Sequence, residues 1–316
     1  MNATTASTNG LRTGGTDRRT LLAFALMVLA GGGNAVAIRV SNFGLPPFWG
    51  AVLRAGGAAL VFWAIAALRR MALPKGRALQ GAIFYGIVGI GVPYALVYWG
   101  LRRVPAGLGA PILALAPLLT LLFASIHRLE EVHRRAVAGA VIAVTGVVVG
   151  LAGSASGALH IPSVLALVAG TALIAEAGIL FKLFPKSHPV VTNAVASAVA
   201  LPILVALSWL GGEKWTWPTT AASWAAVAYV VLVGSVALFM LYLYVLTRWT
   251  ASATSYSFLL IPVVTVVIAA VLLGEVITPA FVLGTLLALA GVWLGLQSSP
   301  RAPELACTEL PSRATC

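Results

Sequence analysis

The sequence predicts an all-α membrane protein with ten transmembrane helices arranged as two inverted five-helix repeats. Of its 316 residues, 60% are hydrophobic and only 9% are charged, whereas soluble domains contain roughly 25% charged residues. Ten apolar stretches, with at most one charged residue each, approach the length of about 20 residues that a membrane-spanning helix needs. The two halves of the chain also share one pattern of Pro, Glu and Gly residues. Together these observations place the chain in the bilayer and divide it in two.

The ten apolar stretches are continuous rather than alternating, which favours helices over the strands of a membrane barrel. The segments between them are short and hold most of the charges, and none is long enough for a soluble domain. The predicted spans are 21–40, 48–68, 78–101, 104–126, 136–153, 161–181, 190–212, 224–247, 250–273 and 278–297.

The net charge of +12 indicates the orientation of the helices and not a nucleic-acid partner. If the N-terminus is cytoplasmic, only Arg102, Arg103 and Lys214 of the 20 cations lie in outer loops, and Arg39 and Arg54 lie within spans. The other cations are on the inner side, as is typical of membrane proteins. We therefore expect a multi-pass protein of the cytoplasmic (inner) membrane with both termini in the cytoplasm.

Four segments follow from this organisation. Residues 1–19, rich in Thr, Ser and Gly, are predicted to be a disordered cytoplasmic tail. Residues 20–153 form the first five-helix repeat and residues 161–297 the second. Residues 298–316 form a polar cytoplasmic C-terminal tail.

A shift of 145 positions superimposes the last part of one half on that of the other without a gap. The coinciding residues are Pro117 and Pro262, Glu130 and Glu275, Gly139 and Gly284, Gly146 and Gly291, and Gly150 and Gly295. Because each half has an odd number of spans, the halves must cross the membrane in opposite directions. Inverted repeats are a recurrent transporter construction, with the substrate site between the halves near the middle of the membrane.

The chain resembles the drug/metabolite transporter superfamily, and specifically its EamA-type members. The features that carry the resemblance are Pro117…Glu130 and Pro262…Leu273-Gly274-Glu275, each followed by a Gly-rich helix, the segment Asn34–Arg39, and Arg54. The first half departs from the family's usual Leu-Gly-Glu, since it has Arg128-Leu129-Glu130. The resemblance implies ten helices, inverted five-helix repeats and the export of small metabolites or drugs.

Glu130 and Glu275 lie at helix ends, and we interpret both as structural. Thr278 and Pro279 suit the N-cap and the first position of the last helix. Glu275 is expected to face the membrane interface and the positive N-terminal end of that helix. Only charges deep in the membrane are functional by default.

Small residues recur one turn apart on the helices that end each half. Gly146 and Gly150 form such a pair, as do Gly291 and Gly295, and this spacing permits close backbone approach. Packing inside the monomer and a homodimer interface are both consistent with it.

Three ionisable residues in or near the spans have alternative interpretations. Glu176, the only acidic residue well inside a span, is either a proton carrier or a substrate-amine site, or it reaches the cytoplasmic surface or pairs with Lys182. Arg39 and Lys182, at matching places in the two halves, are expected to extend towards the headgroups. Arg54 is deeper and is expected to bond backbone carbonyls or a substrate.

The polar and aromatic residues of the spans define a candidate substrate site. Asn34 follows three glycines, Gly31–Gly33, which permit either a kink that exposes backbone groups or close helix packing. The predicted substrate-binding residues are Asn34, Arg54, Tyr94, Tyr98, Glu176, Tyr242 and Tyr256. The predicted kink and gating positions are Pro93, Pro117 and Pro262.

The predicted function is secondary transport: export of small metabolites, in particular amino acids, by alternating access through a cavity between the repeats. A multidrug or organic-cation efflux carrier and a metabolite uptake facilitator are the alternatives. An intramembrane enzyme fits less well, because the spans contain no His, no Asp and no paired carboxylates. We expect a monomer or homodimer in the lipid bilayer, a small-molecule substrate, and no cofactor, metal or nucleic-acid partner.

Overall fold

The computed structural model describes residues 18–128, 134–153, 160–249, 254 and 256–296. Within these ranges the chain is helical and contains no strand, and ten helical segments follow the ten predicted spans. They are α1 (Arg18–Gly44), α2 (Pro47–Leu68), α3 (Gly76–Leu101), α4 (Ala106–Ile126), α5 (Arg134–Ala152), α6 (Ile161–Phe181), α7 (Pro189–Leu210), α8 (Ala221–Leu246), α9 (Ser257–Leu273) and α10 (Pro279–Leu296).

The length and composition of these helices confirm the predicted all-α membrane architecture. The first eight are long and apolar enough to cross a membrane, and α9 and α10 are shorter apolar helices. Helix α1 begins at Arg18, two residues before the predicted start of the first repeat. Glu130, most of the predicted N-terminal tail and all of the C-terminal tail lie outside the described residues.

The third helix of each half contains a π-helical segment. It spans Tyr85–Gly91 in α3 and Tyr229–Ala237 in α8. Such segments replace the i→i+4 bonding of an α-helix and are frequent at functional sites. Pro93 lies just beyond Val92, the residue that follows the first segment, so its missing N–H falls near a stretch that has already left the α-helical register.

The fourth helices differ between the halves in how they accommodate proline. Helix α4 is interrupted at Ala114 and Leu115, just before Pro117. The ring of a proline clashes with the preceding turn, which explains an interruption there. Helix α9 continues without a break through Pro262. The gating roles of these prolines stay predictions.

Helices α5 and α10 pack through their glycines and run antiparallel. Gly139 lies against the backbone of Gly291, and Gly146 lies against the backbone of Gly284. Residue numbers therefore rise along α5 as they fall along α10. Because these are the fifth helices of the two halves, their opposite directions show the inversion of the repeats. The glycine faces are used inside the monomer, as one of the two interpretations expected.

The three consecutive glycines of α1 serve close packing. Helix α1 is continuous through Gly31–Gly33, which lie against Ile261 and Val264 of α9 and Tyr229 of α8. The hydroxyl of Thr265 donates a hydrogen bond of 2.8 Å to the carbonyl of Gly32. The close-packing interpretation therefore describes these glycines, because the absence of side chains is used to bring the second repeat against α1.

The buried core lies where the first four helices meet α6, α7 and α8. Large apolar side chains cover much of the outside, for example Leu60 on α2 and Val271 on α9, which are 74% and 77% exposed. In water such a surface would drive association, whereas lipid solvates it. Because apolar side chains cover the outside, polar side chains such as Arg54 are buried in the interior between the repeats.

We expect Gly284→Ala to destabilise the protein by about 1–3 kcal/mol, since a methyl group there would overlap the backbone of Gly146 and Gly150. The thermal unfolding midpoint of the purified protein in detergent measures this. Gly178→Ala in α6 is the matched control, because an added Cβ there meets nothing within 4 Å. Equal midpoints for the two variants would contradict the close α5–α10 contact.

Candidate functional site

Arg54 joins the second helix of the first repeat to the third helix of the second. It is only 4% exposed. Its Nη2 donates to the carbonyl of Gly234 and its Nε donates to the Ser235 hydroxyl, both at 3.1 Å. That hydroxyl donates in turn to the carbonyl of Val230 at 2.7 Å. Gly234, Ser235 and Val230 all belong to the π-helical segment of α8.

Two tyrosines of α3 complete the surroundings of Arg54. The guanidinium carbon lies 4.4 Å from the centre of the Tyr94 ring, a cation–π geometry. Tyr98, one turn further along α3, is fully buried, and its ring packs over Gly50 of α2. The Tyr98 hydroxyl is buried close to Arg54, and in the described part of the chain it makes no hydrogen bond of acceptable geometry.

Asn34 approaches the same place from α1. Its Oδ1 lies against Gly234, where the lack of a side chain leaves room for it. That oxygen is buried and, among the described residues, has no hydrogen-bond partner. Buried amide oxygens without a partner are uncommon and indicate an unused acceptor. We refer to Asn34, Arg54, Tyr94, Tyr98, Gly234 and Ser235 as the polar cluster.

A further tyrosine, which the predicted site lacks, extends the polar cluster along α3. Tyr85, at the start of the π-helical segment, lies near Tyr94 and near Tyr242 of α8. The sequence could have indicated this residue, because Tyr85 belongs to the same predicted span as Tyr94 and Tyr98. The dipeptide Gly234-Ser235, the other missed feature, interrupts an otherwise apolar span and was the available sequence sign of a polar contact.

Glu176, a residue of α6, lies apart from the polar cluster and beside the C-terminal end of α4. Its Oε1 is 2.6 Å from Nε2 of His127, and its Oε2 is buried without a partner among the described residues. His127 is the C-cap residue that follows α4, and its side chain is 37% exposed. The partner is thus neither Lys182 nor a residue of the polar cluster. A carboxylate held against a partly exposed imidazole is a site where one proton can be shared.

Tyr256 also lies outside the polar cluster. It precedes the first residue of α9 and is 52% exposed. The structure therefore brings together Asn34, Arg54, Tyr94 and Tyr98, with Tyr242 reached through Tyr85, and leaves Glu176 and Tyr256 elsewhere. In the described ranges, no group of three or more His, Cys, Asp or Glu side chains is placed to hold a metal ion.

Glu275 ties the second repeat to the first at one end of the bundle. Its two carboxylate oxygens accept hydrogen bonds from the backbone N–H groups of Ala106 and Gly107, at 2.8 and 2.9 Å. The helix N-terminus that it caps is that of α4, so the predicted contact with the N-terminus of α10 is wrong. Helix α10 is capped by Thr278, as predicted, through a 3.1 Å bond from the N–H of Phe281.

Arg39 completes this contact. Its Nε lies 3.3 Å from a carboxylate oxygen of Glu275, and its Nη1 donates to the carbonyls of Leu101 and Val104. The expectation that Arg39 extends to the headgroups is therefore wrong, because a carboxylate and two carbonyls of the chain satisfy it. We call Arg39, Glu275 and the N-terminus of α4 the clasp.

Glu213 forms a second contact of the same kind. Its carboxylate accepts from the N–H groups of Phe48 and Trp49 at the start of α2, at 3.1 and 2.8 Å. The Ser208 hydroxyl donates to it at 2.8 Å. Trp215 stacks on Trp49 beside this contact, with ring centres 5.3 Å apart. Two carboxylates of the second repeat thus cap two helices of the first.

Comparison with known proteins agrees with this architecture. The model of the EamA-like transporter family matches residues 18–151 and 161–296, one match for each half. The chain belongs to the EamA-like transporter family. It is therefore a multi-pass membrane transporter, and its polar cluster lies between the two halves of an EamA-like fold.

Two relatives of this EamA-like transporter carry names that describe transport. The "Probable terminal-alkyne amino-acid exporter" of Streptantibioticus cattleyicolor is 28% identical over 225 residues, which is 70% of this chain and 74% of the relative. The "Uncharacterized inner membrane transporter YedA" of Escherichia coli K12 is 27% identical over 262 residues, 81% of this chain and 83% of the relative.

A solved crystal structure shares the fold. It covers 87% of this chain and 97% of its own chain, with a TM-score of 0.59 and 21% identity. At this identity the likeness concerns the arrangement of the helices alone.

We expect Glu275→Gln to lower the stability by about 1–2 kcal/mol, because the amide loses the charge that strengthens its bonds to Arg39 and to the start of α4. Thermal unfolding of Glu275→Gln, Arg39→Gln and the double variant forms a cycle that isolates the pair. The double variant should be less destabilised than the sum of the singles. Strict additivity would contradict a direct interaction.

Proposed function

We propose that this EamA-like transporter exports small metabolites, amino acids in particular, by alternating access between its two repeats. The observation that carries the proposal is the polar cluster. It combines a buried cation, an amide and two phenols from one repeat with the π-helical backbone of the other. A site shared between inverted halves is where secondary transporters bind substrate. The exporter from Streptantibioticus supports the amino-acid class by its name.

Alternating access is supported by the way the repeats are fastened. With both termini in the cytoplasm, which the distribution of Lys and Arg favours, the clasp and the Glu213 contact lie on the outer side. Outward opening would then require Arg39 and Glu275 to separate. Their side chains are 18% and 16% exposed, so water can solvate both charges after separation. Ion pairs with access to water are modest in energy and suited to reversible opening.

The proposed location is the inner membrane, with a small-molecule substrate and no enzymatic step. The inner-membrane transporter YedA supports that location. Export would begin with substrate reaching the polar cluster from the cytoplasm while the clasp holds the outer side closed. Release would follow when the clasp opens and the cytoplasmic ends of the repeats approach each other. The two halves are proposed to move as units, with boundaries near 153 and 161.

The proposal is tested by counterflow of radiolabelled amino acids into proteoliposomes that contain the purified full-length protein. We expect saturable uptake that is accelerated by unlabelled substrate inside the vesicles. A carrier exposes its binding site to each side of the membrane in turn, so internal substrate speeds the return of the site. Protein-free vesicles are the control. A flux that rises linearly with concentration, or no flux of any amino acid or metabolite tested, would contradict a carrier.

Glu176 is proposed to carry the coupled proton, since it is the acidic residue within the described helices and lies against His127. We expect Glu176→Gln to retain counterflow and to lose accumulation driven by a pH gradient, because an amide cannot release a proton. Glu304→Gln, in the polar C-terminal segment, is the control for the same chemical change. A Glu176→Gln protein with the wild-type dependence on the gradient would reject the role.

A further inference from the structure

Arg54 carries a positive charge inside the bundle without a negative partner in the described part of the chain. The ion pair of Arg39 is with Glu275, and Glu176 is engaged by His127. The groups around Arg54 are a carbonyl, the hydroxyls of Ser235 and Tyr98, and an aromatic ring, all of them neutral. Burying an ion without a counter-charge is costly, and ionisable residues in such places are functional by default.

The acidic residues of the chain explain why no protein carboxylate is at hand. The chain contains eight Asp and Glu residues. Three lie among the described residues: Glu176 is engaged by His127, Glu213 by the start of α2, and Glu275 by the clasp. In the sequence, the other five lie before α1, between α4 and α5, or after α10, and none belongs to a described helix.

The contacts of the guanidinium leave N–H donors for an anionic partner. Arginine has five N–H donors in a planar fork, and Gly234 and Ser235 engage one each on Nη2 and Nε. These two contacts fix the plane of the group, and Tyr94 covers one of its faces at 4.4 Å. An arginine held in this way is oriented to bind a carboxylate through its remaining donors.

We propose that the carboxylate of the transported substrate is the counter-charge of Arg54. The substrate class is then a small carboxylate with an apolar or aromatic body, which would lie against the tyrosines of α3. This inference rests on the proposed transport function and narrows it. Organic cations are disfavoured, because an ammonium group near Arg54 would meet a like charge in a medium that screens it poorly.

The assignment also explains why the second repeat contacts Arg54 through neutral groups. Gly234 and Ser235 belong to the second repeat and contact Arg54 only through dipoles. Dipolar contacts orient the cation without neutralising it, so its attraction for an anion is kept. A carboxylate of the chain in the same place would neutralise the site. The carboxylate of the bound substrate would neutralise Arg54 for part of each transport cycle.

The test compares compounds that share one body and differ in one group. L-Phenylalanine, 3-phenylpropionate, phenethylamine and L-phenylalanine methyl ester form one series, and L-leucine, 4-methylpentanoate, isopentylamine and L-leucine methyl ester form the second. Thermal stabilisation of the purified protein and inhibition of counterflow are measured for each. We expect the free carboxylates of at least one series to bind at least tenfold more tightly than the matching amine and ester.

Variants of Arg54 separate recognition from support of the fold. Arg54→Gln should remove the preference for carboxylates, whereas Arg54→Lys should keep part of it, since the charge remains and the fork is lost. Arg77→Gln, at an exposed arginine near the start of α3, is the matched control and should keep the full preference. If Arg54→Gln does not fold, the wild-type series and Arg54→Lys still decide the question.

Several results would overturn the inference. Equal binding of acids, amines and esters would do so, as would tighter binding of the amines or an unchanged carboxylate preference in Arg54→Gln. Saturable flux of phenethylamine that 3-phenylpropionate does not inhibit would reject the inference and leave the carrier proposal standing. Absence of flux and binding for every compound would reject both.

Discussion

The structure depends on one constraint: polar groups inside a bilayer must be satisfied by the chain itself, because lipid offers neither hydrogen bonds nor hydration. Arg54 shows how the chain meets this constraint. Its cation requires acceptors in the interior, and the π-helical segment of α8 supplies a carbonyl and a hydroxyl at 3.1 Å. The irregular segment of the second repeat and the buried cation of the first therefore meet at one place.

The same constraint governs the ends of the helices. The first N–H groups of a helix have no partner within it, and carboxylates satisfy them at the starts of α2 and α4. Both carboxylates, Glu213 and Glu275, belong to the second repeat. Contacts between the halves thus have two characters: carboxylates that cap helix starts, one of them paired with Arg39, and close glycine-to-backbone packing between α5 and α10.

Local patterns in the sequence predicted the features that local physics decides. The ten apolar runs predicted the helices, and Thr278-Pro279 predicted the start of α10. The contacts of Glu275 and Arg39 were mispredicted, because Glu275 caps a helix 169 residues away and no nearby residue indicates the pairing. The internal repeat relates equivalent residues of the two halves, but it does not show which helix of one half contacts which helix of the other.

The candidate site was predictable in its residue types and not in its geometry. Arg54, Asn34 and Tyr94 stand out as polar or aromatic residues in apolar spans, and the fold brings them together. The π-helical segments could not be predicted, since Tyr85–Gly91 and Tyr229–Ala237 read as ordinary apolar helix. Glu176 was also conspicuous, yet its partner is His127, just after α4, because the sequence does not show which helix end packs against that face of α6.

The capping of α2 and α4 by Glu213 and Glu275 has a consequence for biogenesis. The ribosome makes both helices long before it makes the residues that complete their starts. A newly inserted first half would therefore carry amide groups without these partners at the starts of α2 and α4, and those of α4 would wait until the last pair of helices is made. The nascent protein thus stays incomplete to the end of synthesis, and a chain truncated before Glu275 would lack the residue that finishes α4.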